Sequence, residues 1–72
     1  MNISNTIKAI LKERGIKQTW VVKRMNLIAP DVAMDKVKFS AIVCGIRKMS
    51  GEELLAFCKA IEENPDIFLK AS

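Results

Sequence analysis

Apolar positions recur along this chain at helical spacing, interrupted at points where the backbone chemistry also changes. Ile3, Ile7, Ile10 and Leu11 share one face at spacings of four, three and one. Ser4 and Asn5 are good caps, and Gly15 is placed to end the segment in a left-handed conformation. The pattern predicts a first helix from Ser4 or Asn5 to Arg14, with Ile16 folding back onto its stripe. A second helix is predicted over Gln18–Met25, with Val21, Val22 and Met25 inward and Lys17, Lys23 and Arg24 towards water or phosphate. Trp20 stands one position before the inward Val21. That predicts partial exposure, either as an interface anchor or as a lid over the side of the core.

The pattern then lapses. Asn26–Met34 does not read as a helix, and Pro30 disfavours helical geometry at Ala29. Leu27, Ile28 and Val32 give this stretch apolar contacts of its own, so an ordered connection is expected. A third helix is predicted over Asp35–Cys44. Asp35 caps it, Phe39, Ile42 and Val43 point inward, and Gly45 ends it. A fourth opens on a capping box, Ser50 with Glu53, and runs to Glu62 with Leu54, Leu55, Cys58 and Ile61 buried and Phe57 flanking them. Asn64-Pro65 marks the start of a short fifth helix carrying Ile67, Phe68 and Leu69. The expectation is an all-α compact bundle forming one domain over residues 1–72.

Composition narrows the partners. Half of the residues are apolar, which argues against disorder, and the apolar residues are mostly aliphatic. No 18-residue apolar run is present and the start lacks signal-peptide features, so a cytoplasmic protein is expected. Residues 1–50 carry ten Lys/Arg against three acids, a net of +7; residues 51–72 carry two lysines against five acids, a net of −3. Such segregation favours a basic face for a polyanion over evenly spread solvation. Cys44 and Cys58 have 13 residues between them; two free thiols fit a reducing compartment better than a disulfide. With no His, two cysteines do not complete a structural zinc site, and no metal or cofactor is expected. The absence of a His base, an activated nucleophile or a Gly-rich phosphate loop argues against an enzyme and against a small-molecule substrate.

A short helix opening on Gln18, followed by a helix with Lys36 and Lys38 in its first turn and Arg47-Lys48 beyond its end, is the layout that a DNA-binding helix-turn-helix needs. With Ile7 to Leu11, Gly15-Ile16-Lys17-Gln18-Thr19, Val21-Val22, Met25, Phe39-Ser40-Ala41-Ile42, Gly45, Ser50, Leu54-Leu55, Phe57 to Ile61 and Pro65-Asp66, the chain resembles the Cro/CI-type (lambda-repressor-like) helix-turn-helix family over nearly its whole length. The resemblance implies a five-helix domain. One departure is an enlarged turn between helices two and three, spanning Asn26–Met34, which also occurs in CI-type repressors of some temperate lactococcal phages.

By that resemblance Gln18 would touch a phosphate. Lys36, Val37 and Lys38, with Ser40 and Ala41 further along, would read base edges. A lysine can donate to guanine acceptors, and Val37 can meet a thymine methyl. Arg47 and Lys48 would neutralise phosphates, which positions rather than specifies. For Arg47 and Lys48 the alternative is complementing a helix dipole; for Lys36 and Lys38, near a helix start, the dipole opposes such a role. Asp31 and Asp35 cut the other way, because carboxylates beside a reading helix repel phosphate. They suggest that the same surface meets the basic face of a partner repressor. Trp20, Leu27, Ile28 and Val32 would then add apolar contact, and Glu52 and Glu53 further salt bridges.

Two functions are therefore expected in competition. One is a protein that disables or modulates a cognate CI-type repressor in a phage lysis/lysogeny switch. The other is a Cro-like regulator that binds operator DNA directly as a homodimer.

Overall fold

The computed structural model describes residues 3–64 of the chain. It holds four α-helices: α1 (Ile3–Arg14), α2 (Gln18–Ile28), α3 (Lys36–Val43) and α4 (Gly51–Ala60). A single 3-10 turn, Pro30–Val32, lies between α2 and α3. No strand occurs among the described residues. The expected fifth helix, with Ile67, Phe68 and Leu69, lies outside them.

The helix ends follow from local chemistry. Gly15 takes φ +64°, its N–H donates to Lys12 O, and Ile16 N–H donates to Leu11 O at 2.9 Å. This is the paired hydrogen bonding of a Schellman ending. Ile16 packs half-buried against the core, as expected. Gly45 repeats the motif after α3, with φ +81°, Gly45 N–H on Ile42 O and Ile46 N–H on Ala41 O at 2.9 Å. Ser50 and Glu53 form the expected capping box, and Asp35 caps α3 by accepting from Lys38 N at 2.7 Å.

Several boundaries differ from the sequence reading. α1 already begins at Ile3, so Ser4 and Asn5 lie inside its first turn rather than before it. α2 runs three residues past Met25, placing Asn26, Leu27 and Ile28 in the helix. It stops where Pro30 acts: Ala29 leaves helical geometry at φ −138°, ψ 75°. α3 and α4 are each shorter than expected, with Cys44 as the C-cap of α3 and α4 ending at Ala60.

The core gathers Ile7 and Leu11 from α1, Val21 and Met25 from α2, Phe39, Ile42 and Val43 from α3, and Ala56, Phe57, Cys58 and Ala60 from α4, with Ile61 just beyond. At its centre the Phe39 and Phe57 rings stack at 5.9 Å with a 31° tilt. Phe57 is fully buried and not a flank, whereas Leu55, expected inside, faces out. The reason is the stripe Glu53–Ala56–Phe57–Ala60, where small alanines let α4 approach α2 closely. Cys58 is a buried free thiol, its pKa pushed up by burial and then by Glu63 nearby; Cys44 is free and exposed.

The enlarged turn is a built connection. It comprises the seven residues between Ile28 and Lys36, and four features hold it. Met34 is buried in the core; Asn26 Nδ2 donates to Met34 O at 2.7 Å; the 3-10 turn closes with Ala33 N–H on Pro30 O; and Ala33 turns the chain in left-handed geometry at φ 51°. Among the described residues, no helix is long and apolar enough to cross a membrane.

Candidate nucleic-acid and partner interface

α2 and α3 pack against each other, and the seven-residue connection sets how α3 is presented. Gln18 is the first residue of α2 and is half-buried. The residue before it, Lys17, is extended and makes no side-chain cap, so the first-turn N–H groups receive none from it.

The outward side of α3 brings four of the expected reading residues together. Lys36, Val37, Ser40 and Ala41 line one open hollow of about 400 Å³, completed by Cys44 and Ile46. Two of its members are apolar and strongly exposed: Val37 at 80% and Ile46 at 83%. Lys38 is turned away from this group, its Nζ donating to Ala33 O at 3.3 Å across the connection. Ile46 was absent from the expected set. The signal for it was the Gly45 ending, which fixes the backbone at Ile46 but not the destination of its side chain.

Beyond α3, Arg47 and Lys48 have different environments. Arg47 is committed internally, its Nη1 and Nη2 donating to the two oxygens of Glu53 at 3.1 and 2.9 Å. Glu53 Oε1 also accepts Ser50 N–H at 2.9 Å. Glu53 is only 6% exposed; burial alone would raise its pKa, but Arg47 and the Ser50 hydrogen bonds outweigh that and hold it below the usual carboxylate value. The fork uses two of the five N–H donors of Arg47 and leaves its side chain 38% exposed, whereas the Glu53 carboxylate is buried against it. Lys48 stays exposed beside Met49 and Ile3.

The expected partner residues fall into three places. Trp20 and Leu27 lie two turns apart on the exposed side of α2, 46% and 71% exposed, and the Arg24 guanidinium stands 5.6 Å from the Trp20 ring centroid. Ile28, Asp31 and Val32 line a second hollow of about 430 Å³, whose far wall is Glu52, Leu55 and Lys59 of α4. Asp35 remains at the head of α3, engaged as its cap. Leu55, 53% exposed, is a member of this surface that the sequence reading had placed in the core.

No family model, no curated protein and no solved structure matches this chain.

Proposed function

We propose that this chain is a helix-turn-helix regulator that works by associating with another regulator, a CI-type repressor, in a phage-type lysis/lysogeny switch. In this role it is a small modulator of repression, or antirepressor. The observation that carries the reading is the outward face of α3. A helix that reads bases needs donors and acceptors for their edges. Here Val37, Ala41, Cys44 and Ile46 dominate, and Lys36 is the one charged residue of the hollow they line. A face of that kind loses little by leaving water against protein and forgoes most base readout. The binding of Arg47 to Glu53 points the same way, because the carboxylate offsets part of the charge that Arg47 would offer a phosphate.

The second reading, a Cro-like repressor that binds operator DNA as a homodimer, draws support from Lys36, Lys48 and Gln18. It is also supported by the excess of Lys/Arg over acids in residues 1–50.

Fluorescence anisotropy separates the two. A labelled duplex from the gene's own promoter region is titrated with the full chain at several salt concentrations, then with the neighbouring repressor added. Weak, unselective binding alone and a change in repressor–DNA binding on mixing is the expected result. Tight, sequence-selective binding by this chain alone, falling steeply with salt, would replace the first reading with the second.

A further inference from the structure

Among the described residues, two exposed apolar surfaces differ in charge. One is the α3 ridge, the outward helix face on which the exposed Val37 and Ile46 border an open hollow and Lys36 is the charged member. The other is the hollow between the 3-10 turn and α4. Ile28, Val32 and Leu55 give it an apolar floor, and Asp31 and Glu52 outnumber Lys59 on its edge. We propose that this chain binds a second copy of itself head-to-tail, the α3 ridge of one copy seated in the α2–α4 hollow of the next.

Charge decides the pairing. Ridge against ridge brings two copies of Lys36 together with no acid from either hollow. Hollow against hollow gathers two copies each of Asp31 and Glu52 against only two lysines. Ridge against hollow covers Val37, Ile46 and Leu55 together and sets Lys36 among carboxylates. A contact between two different patches is heterologous, so each copy keeps one ridge or one hollow free for a further copy. The contact also covers the ridge. Self-association and any other use of α3 therefore compete, and raising the concentration of the protein withdraws its own α3 face. Cys44 lines the same hollow as Val37 and is an exposed free thiol, so it reports on this covering directly; Cys58 is buried.

The proposal is independent of what else α3 binds, and it is tested on the full chain without DNA or repressor. Sedimentation velocity is run across micromolar to millimolar concentration for the wild type, Val37→Glu and Leu55→Lys, with Cys44 alkylation rates measured in parallel. Both positions are exposed, and a thermal melt of each variant checks that it folds. The wild type is expected to sediment faster as concentration rises, with Cys44 alkylation slowing in step. Each variant alone is expected to associate at least tenfold more weakly. Mixed one-to-one, the two variants should form a dimer, because the mixture retains one intact ridge and one intact hollow. A wild type that stays monomeric throughout would overturn the proposal. So would association that survives either substitution, or a mixture that does not associate.

Discussion

Two endings of the same kind, Gly15-Ile16-Lys17 after α1 and Gly45-Ile46-Arg47 after α3, take opposite courses once the backbone has turned. In both, a glycine at positive φ lets the following isoleucine donate back five residues. After α1 the isoleucine completes the motif in the usual way, packing on the core. After α3 it projects into solvent at 83% exposure, and the next residue, Arg47, anchors the chain through Glu53 instead. The backbone motif therefore fixes where a helix stops, while the neighbouring element decides what the side chains do. At the second ending α4 presents a buried carboxylate, so a cation is the anchor and the isoleucine is left for another role.

The comparison is broken most strongly at the glycines. Gly45→Ala is expected to cost about 2–3 kcal/mol, since left-handed geometry is unfavourable for alanine and the added Cβ meets Ser4 Oγ at 3.3 Å. Gly15→Ala has open space and should cost about 1–2 kcal/mol from conformation alone. Equal costs in urea unfolding would show that the Ser4 contact relaxes freely. Next come the isoleucines. Ile16→Ala should cost about 1–2 kcal/mol for a half-buried side chain, whereas Ile46→Ala should change stability by less than about 0.5 kcal/mol while weakening whatever α3 binds. A stability loss at Ile46 matching that at Ile16 would erase the distinction between the two endings.

A further substitution tests the anchor. Arg47→Ala should cost about 1 kcal/mol at neutral pH, discounted because the guanidinium is partly open to solvent. Glu53 has a folded pKa lowered from 4.5, so its contribution is present above that ordinary value and lost as pH falls through the lowered one. The wild type and Arg47→Ala should thus converge in acid, as read by thermal midpoints across a pH series. A gap that persists with Glu53 protonated would assign the effect to packing of the arginine stem.

Much of the framework was legible in the chain: both glycine endings, the capping box, the Asp35 cap and the inward trio Phe39, Ile42 and Val43 follow local rules that tertiary contacts did not override. The errors have a common physical cause. Asn26 reads as a loop residue until its amide is seen holding Met34 O, and Leu27 reads the same way until α2 is seen to run beneath it. On α4 the alanines share the buried face with Phe57 and Cys58, so a reading that passes over small side chains rotates the helix, buries Leu55 in place of Ala56 and leaves Phe57 at the flank. Glu53 lies at the end of that buried face; the capping box accounts for an acid there, and its match with Arg47, six residues earlier, accounts for its burial. In the candidate site, residue identities were easier to read than their assignments. Lys36, Val37, Ser40 and Ala41 do share one surface, while Lys38 and Arg47 are outside it and bond to Ala33 O and to Glu53.

The Arg47–Glu53 fork, with Ser50 N–H on the same carboxylate, ties the seven-residue loop that follows α3 to the head of α4. Amide protons at Gly45 and Ile46 on one side and Glu53 and Leu54 on the other are then gated by a single opening event. Their hydrogen-exchange rates should rise together when that event is made easier, so that the end of α3 and the start of α4 behave as one cooperative unit.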